Sequence, residues 1–309
     1  MIMVPIKEAL TFDDVTMIPK YSEVLPSDVN TQTDLSKNLI LKIPLLSSAM
    51  DTITESKMAI AIAKAGGIGV IHRNLKIKKQ IQEIKKVKSK KLLVGAAVGA
   101  GPIELKRARA ILKEKVDLIV VDTAHGHSKK VAEIIKKIKS EKDKKTSLCA
   151  GNIATAEAAR FLIRLGVDII KVGIGPGSIC TTRLIAGIGV PQLSAILEVK
   201  KGIKNKKVKI ISDGGIKYSG DIAKALAAGA DAVMIGSLFA GSIETPGKII
   251  RRNGKLYKNF RGMGSVGAMN KGSADRYFQK KQKDKSKYVP EGVEGLVKFK
   301  GSVEKVIYK

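Results

Sequence analysis

The stretch KIISDGGIKYSGDIAKALAAGADAVMIGSL (209–238) decides the fold. It opens on the β-branched run Lys209-Ile210-Ile211-Ser212-Asp213 and turns at Gly214-Gly215. An amphipathic helical pattern follows from Tyr218 to Gly229, and a second apolar run, Ala232-Val233-Met234-Ile235, closes it. Strand, helix and strand within about 30 residues make a βαβ unit. Both strands are apolar without alternation, as strands are when a parallel sheet is covered by helices on its faces.

The same unit recurs outward from this stretch. The earlier β-rich runs are IPLLSSAM (43–50), GIGVIH (67–72), LLVGAAVG (92–99), DLIVVDT (117–123), SLCAGN (147–152) and IIKVGIG (169–175). Between them lie helical patterns such as SKMAIAIAKAG (56–66), IKKQIQEIKKVKS (77–89), IELKRARAILKE (103–114) and TAEAARFLIRLG (155–166). Counting KIISDGG (209–215) and AVMIGSL (232–238), eight such strands predict a closed (β/α)₈ TIM barrel, class α/β, rather than an open doubly wound sheet. No low-complexity linker divides the chain, so residues 1–309 are read as one catalytic domain.

Met50, Asp122, Asn152, Gly175, Asp213 and Gly236 fall at or just past the C-terminal ends of their strands, on the face where barrels build chemistry. Two connections are long: an active-site loop at 176–192, and a flap region at about 239–300 after the eighth strand. Long excursions inside a compact domain are usually binding loops or lids.

Composition excludes several classes. Hydrophobic residues make up 44%, which is globular rather than disordered. The longest apolar stretch, Met58 to Ile71, is interrupted by Lys64, Gly66 and Gly67, and the N-terminus lacks the pattern of a signal peptide, so a soluble, cytoplasmic protein is expected. Two cysteines cannot build a disulfide framework here, and with His72, His125 and His127 they match no metal-ligand spacing. The net charge of +29 raises nucleic acid as a partner. Only 10 of the 57 basic residues are arginines, however, aromatics are 4% and Trp is absent, whereas nucleic-acid readers favour arginine and stacking rings. Nucleic acid is therefore possible but not expected, and a small anionic substrate would be drawn to the same surface.

The sharpest motif is Gly173-Ile174-Gly175-Pro176-Gly177-Ser178-Ile179-Cys180-Thr181-Thr182-Arg183. Its glycines let backbone N–H groups approach a ligand, and Ser178 adds a hydroxyl. A free cysteine is ordinarily a small buried hydrophobe, which is the reading for Cys149 in the fifth strand. Cys180 sits among polar neighbours in a loop, and there a thiolate nucleophile is the better reading. A phosphate cradle is split between Asp213-Gly214-Gly215-Ile216 and Ile235-Gly236-Ser237, where barrel loops and a helix N-terminus often hold an anion. Asp213, an acceptor only, suits ribose hydroxyls instead. The bland alternative is that these glycines only make tight turns.

With these motifs the chain resembles the IMP dehydrogenase/GMP reductase family. The resemblance runs from Leu10-Thr11-Phe12-Asp13-Asp14-Val15 through Ser48-Ala49-Met50-Asp51-Thr52, the Cys180 loop and Arg261-Gly262-Met263-Gly264-Ser265 to Glu291-Gly292-Val293-Glu294-Gly295. It implies an enzyme in which Cys180 attacks carbon 2 of the hypoxanthine of IMP. Ser178, Gly214, Gly215, Gly236 and Ser237 would hold the 5′-phosphate and Asp213 the ribose. Ser48, Met50, Gly262, Met263, Gly264 and Glu291 would contact or flank the nucleotide, and Asn152 would line the site near the cysteine. Asp122, with Thr123, Gly173 and Gly175, would bind the NAD cofactor. Carbonyls of Gly175, Gly177 and Cys180 would contribute to a potassium site. The resemblance further implies a homo-oligomer, a tetramer.

Ser273-Ala274-Asp275-Arg276-Tyr277-Phe278-Gln279 resembles the flap of the dehydrogenase branch, whose Arg276 and Tyr277, with Thr182, would activate water. The implied activity is oxidation of IMP to XMP through a covalent thioimidate on Cys180, in guanine nucleotide biosynthesis. The alternatives are a GMP reductase of the same family, or a catalytically inactive barrel that binds nucleotides or RNA. Three features depart from the family pattern. Lys88-Ser89-Lys90-Lys91 runs straight into the third strand where a pair of regulatory CBS modules is usual; the chain stops at Lys309, where the family's eighth helix only begins; and Phe260 stands where a tyrosine usually reaches the phosphate.

Overall fold

The computed structural model describes residues 6–204, 207–277, 279–280, 282 and 284–308; Phe278 of the flap stretch and Lys309 lie outside them. Eight strands are present where the apolar runs lie: β1 (Leu45–Ser47), β2 (Ile68–Ile71), β3 (Val94–Val98), β4 (Leu118–Asp122), β5 (Ser147–Ile153), β6 (Ile169–Val172), β7 (Lys209–Asp213) and β8 (Ala232–Ile235). Each pairs in parallel with the next, and β8 pairs with β1, closing the barrel. The helices between them are α1 (Ser56–Lys64), α2 (Ile77–Lys88), α3 (Pro102–Lys113), α4 (Lys129–Glu141), α5 (Ala156–Leu165), α6 (Gln192–Gly202) and α7 (Ser219–Ala227), with a short α8 (Val303–Ile307) after the flap region. α2 ends at Lys88 and β3 begins at Val94, so a short turn joins them.

Strand side chains alternate, and the barrel sorts them into two cores. Ile119 and Val121 of β4 pack outward with the helices, in company with Met58, Ile84, Ile135 and Leu162. Leu118 and Val120 point inward with Leu46, Ile68, Val70, Ala97, Cys149, Ile169, Ile211 and Met234. Continuing the inward parity by two residues reaches Asp122 from Val120, Lys171 from Ile169, Asp213 from Ile211, Gly236 from Met234 and Ser48 from Leu46. The same period-two rule that fills the lower barrel with aliphatics therefore carries the polar residues to its C-terminal mouth. The other end is closed by an antiparallel hairpin, Thr33–Ser36 with Leu39–Leu41, whose Leu35, Leu39 and Leu41 are fully buried in the inner core.

The excursion after β8, which the sequence suggests is a long loop, contains a three-stranded antiparallel sheet of Ile250–Arg252, Lys255–Arg261 and Glu294–Lys298. Its middle strand pairs Phe260 with Gly295 and Arg261 with Glu294. Arg261 then fastens the sheet to the barrel by an ion pair with Asp51, beyond β1. The flap is the segment carried between the second and third strands of this sheet. Among the described residues no helix is long and apolar enough to cross a membrane.

Candidate active site

A cavity opens at the C-terminal mouth, between the barrel, the 176–192 loop and the flap. Cys180 lies on its wall, partly exposed, with Sγ 3.2 Å from Thr182 Oγ1. The loop is shaped by the Cys180 amide donating to the Gly177 carbonyl at 3.0 Å. It is then zipped to the far end of the flap region. Thr181 N–H donates to Glu291 O at 2.9 Å and Val293 N–H to Ile179 O at 3.0 Å, which sets Glu291 on the same wall. Cys149 is fully buried inside β5, and burial pushes its thiol well above the usual range. The two cysteines thus divide as the sequence suggests, one an inert core residue and the other beside open space.

Opposite the cysteine stands a charged cluster. Lys171, only 2% exposed, has its ammonium 2.9 Å from Asp122 Oδ1 and in contact with Asp213 Oδ2 and Asn152 Oδ1. Burial alone would lower its pKa, but Asp122 and Asp213 outweigh that and raise it, so the amine stays charged. Asn152 Nδ2 donates to Asp213 Oδ2 at 2.9 Å and to the Gly173 carbonyl at 2.8 Å. Lys171 is absent from the residues that the motifs single out. Its signal was nonetheless visible: a lysine in the middle of IIKVGIG (169–175), a run otherwise free of charge, has to find buried partners.

The cradle ends of β7 and β8 meet across Ser237, whose hydroxyl donates to the Ile216 carbonyl at 3.2 Å. Gly214 and Gly215 have φ of +93° and +82°, which favours glycine at both. The backbone N–H groups of Gly215, Ile216, Gly236 and Ser237 make no hydrogen bond among the described residues. Such a cluster of unpaired donors suits an anion. The helix N-terminus that commonly completes a barrel phosphate site is replaced here by a turn, closed by Ala240 N–H on Gly236 O at 2.9 Å.

Ser48, Met50, Asp122, Asn152, Gly173, Gly175, Gly177, Ser178, Cys180 and Thr182 line this one cavity, as do Asp213, Gly214, Gly215, Gly236, Ser237, Gly262, Met263, Arg276, Tyr277 and Glu291. Two of the expected residues do not line it. Thr123 is buried, with its hydroxyl donating to the Gly151 carbonyl at 2.8 Å, so it secures the end of β4. Gly264 lies behind the wall: its carbonyl accepts from Glu291 N–H at 3.0 Å, and a Cβ there would stand 2.9 Å from the Tyr277 ring.

The flap reaches into the cavity. The Arg276 guanidinium is ion-paired with Asp122, and the Ala124 amide donates to the Arg276 carbonyl at 3.3 Å. Burial alone would lower the pKa of Arg276, but the Asp122 carboxylate raises it beyond that of a free guanidinium. Burial also raises the pKa of Asp122, yet the charges of Arg276 and Lys171 hold it well below the usual carboxylate range. Burial pushes the Tyr277 phenol up to about 12. With the flap seated in this way both groups keep their protons. This differs from a simple picture in which Arg276 accepts one where it stands.

Two donor sets fit ligands that the resemblance names. The carbonyls of Gly175 and Cys180 accept no hydrogen bond among the described residues, and a ring of backbone carbonyls is a donor set for a monovalent cation. Asp122, with Lys171 beside it, offers one carboxylate to either Arg276 or a cofactor, and Arg276 Nε is buried without a hydrogen-bond partner among the described residues. The described residues contain no group of three or more His, Cys, Asp or Glu placed to hold a metal ion.

Comparison with known proteins agrees with the geometry. The model of the IMP dehydrogenase / GMP reductase domain matches residues 9–309. The chain is 48% identical to the inosine-5′-monophosphate dehydrogenase of Borreliella burgdorferi, over 97% of this chain and 87% of that protein. It is 46% identical to that of Cryptosporidium parvum, over 98% and 86%, and 37% identical to that of Bacillus subtilis, over 98% and 88%. The chain belongs to the IMP dehydrogenase / GMP reductase family.

Proposed function

We propose that this chain oxidises IMP to XMP with NAD and water, as its named relatives indicate, in guanine nucleotide biosynthesis. The observation that carries the dehydrogenase reading over the reductase one is the flap, which sets Arg276 and Tyr277 in the same cavity as Cys180. Reduction needs no activated water; hydrolysis of a thioester-like adduct does.

Cys180 attacks carbon 2 of the purine, its sulfur lone pair forming the new bond while the π pair between carbon 2 and nitrogen 3 moves to nitrogen 3, which takes up a proton; carbon 2 is then sp³ and ready to lose hydride. Asp122, with Gly173 and Gly175, would hold NAD, which when bound would supply the hydride acceptor. Loss of hydride leaves a thioimidate on Cys180. Water then adds to carbon 2, the carbon–sulfur bond breaks, XMP departs and the thiolate is restored. The unpaired amides of Gly215, Ile216, Gly236 and Ser237 hold the phosphate, with Ser178 beside them, and Asp213 receives the ribose hydroxyls. Arg276 enters after the cofactor has left Asp122, because one carboxylate cannot serve both. Its guanidinium is protonated while it rests there, so it takes a proton from water only when lifted off Asp122, with Tyr277 and Thr182 nearby. Carbonyls of Gly175, Gly177 and Cys180 would hold potassium and so fix the loop. A cytoplasmic homotetramer is part of the proposal, supported by the exposed apolar side chains Met17, Ile18, Tyr21 and Leu25 along the N-terminal arm.

The test is NADH absorbance after mixing the protein with IMP and NAD, with and without potassium. Cys180→Ala should abolish NADH formation while the protein stays folded, and Cys149→Ala should leave it nearly intact. Equal effects from the two substitutions would refute the nucleophile. Oxidation of NADPH by GMP, without IMP oxidation, would place the protein in the reductase branch.

A further inference from the structure

The flap is tied down at a point that this chemistry does not use. Asp275, one residue before Arg276, is not part of the cavity wall; both of its carboxylate oxygens lie 2.9 Å from Nη1 of Arg73. Arg73 follows β2, 202 residues away in sequence, and is 7% exposed, whereas Asp275 is 47% exposed. The guanidinium is braced from behind. A Cβ at Gly99 would stand 2.8 Å from its central carbon, so the group lies flat against that backbone. Its other nearby carboxylate, Glu104, is 3.8 Å away and is shared with Arg107 and the Gly99 amide. The neighbouring Asn74 is buried as well; it donates to Asp51 at 2.8 Å and to the Ala268 carbonyl, at the start of the same flap, at 3.1 Å. The turn leaving β2 therefore grips the flap at two places.

We propose that Arg73 is the catch of the flap: a positioning residue that, through Asp275, sets the fraction of time for which Arg276 covers Asp122. Successive Cα atoms are about 3.8 Å apart, so the backbone cannot carry Arg276 and Tyr277 out of the cavity while Asp275 stays on Arg73. Lifting the flap leaves a nearly buried guanidinium with only a shared carboxylate at longer range, which biases the flap towards the seated position. The inference rests on the reading of Arg276 as the group that exchanges with the cofactor at Asp122. A weaker catch exposes Asp122 more often, which favours the dinucleotide and starves the hydrolytic half of the reaction.

The test uses Asp275→Asn, which keeps size and removes charge, and Arg73→Lys, which keeps charge and loses the planar group. Limited trypsin digestion, followed by mass at the Arg276–Tyr277 bond, reads undocking directly, since that side chain is 13% exposed while seated. Asp275→Asn should speed this cut by roughly three- to tenfold, between the yields of an exposed ion pair and of a charge-assisted hydrogen bond. Arg73→Lys should restore much of the protection that Arg73→Met loses. In the Cys180→Ala background with IMP bound, the NAD dissociation constant should fall by a similar factor in Asp275→Asn. Arg73→Met combined with Asp275→Asn should add little to the larger single effect. Unchanged cutting at Arg276 would overturn the proposal, and so would cutting that accelerates equally at every basic site. Faster cutting at Arg276 in a protein that binds no NAD would leave the catch standing and remove the activity assigned above.

Discussion

Lys171→Met exchanges a buried ammonium for an uncharged thioether and leaves Asp122 and Asp213 without their common partner. At 2.9 Å the attraction to Asp122 alone is about 6 kcal/mol for an effective dielectric constant near 20. Release of the lysine's own desolvation returns part of this, and removing one partner of a buried pair costs about 3–5 kcal/mol net. For a domain of this size that is a melting temperature lower by roughly 6–15 °C. Ile169→Val, one inward position below on the same strand, is the control, with an expected cost of about 0.5–1.5 kcal/mol. Thermal unfolding followed by circular dichroism measures both. Because Asp122 is part of the same cluster, Lys171→Met should cost less in an Asp122→Asn background, a coupling that a cavity alone would not produce. IMP titration should show binding weakened by at least about tenfold, since Asp213 keeps only Asn152 as a partner. A variant melting within 2 °C of the parent (roughly 1 kcal/mol or less), with unchanged IMP affinity, would refute the bridge as the element that holds the two carboxylates.

Phe260 lines the cavity and is 5% exposed, so a hydroxyl added to its ring would be largely buried. Phe260→Tyr should tighten IMP binding by about tenfold or more through a hydrogen bond to the phosphate, and slightly destabilise the ligand-free protein; titration of both forms checks it, and an unchanged dissociation constant would mean that the ring does not face the phosphate. Glu83 accepts the amide and hydroxyl of Ser56 at the start of α1 and an ion pair from Lys86. Burial alone would raise its pKa, but these contacts outweigh it and hold it at about 2 against 4.5 for the free side chain. A folded value below the unfolded one gives stability that is complete above pH 4.5 and is lost as pH falls towards 2. The amount is about 3 kcal/mol. Glu83→Gln should therefore lower stability at neutral pH and flatten the acid limb over that window; denaturant titrations at pH 3 and pH 7 that shift in parallel for the two proteins would contradict it.

The barrel was legible because each strand is apolar enough to stand out between lysine-rich helices, and strand ends pointed to the correct face. The different settings of the two cysteines were legible from contrast: one in an apolar run, the other in a glycine-rich loop. What escaped was whatever depends on parity or on distant partners. Lys171 reads as an ordinary lysine until the inward face of β6 is known. Asp275 and Arg73 stand 202 residues apart with nothing in either local sequence to join them. The hairpin strands Thr33–Ser36 and Leu39–Leu41 are too short to announce themselves, and Lys255–Arg261 is partly polar because one face of its sheet meets solvent. Thr123 and Gly264 stand beside lining residues in the sequence but do not line the cavity themselves, a distinction that depends on side-chain direction and loop path.

The leucine-bearing hairpin under the barrel has a further consequence for traffic. With Leu35, Leu39 and Leu41 packed against the lowest inward layer, the described residues close the barrel at that end. Entry from that end would require unpacking three buried leucines, so ligands of the cavity arrive and depart on the side that the flap covers.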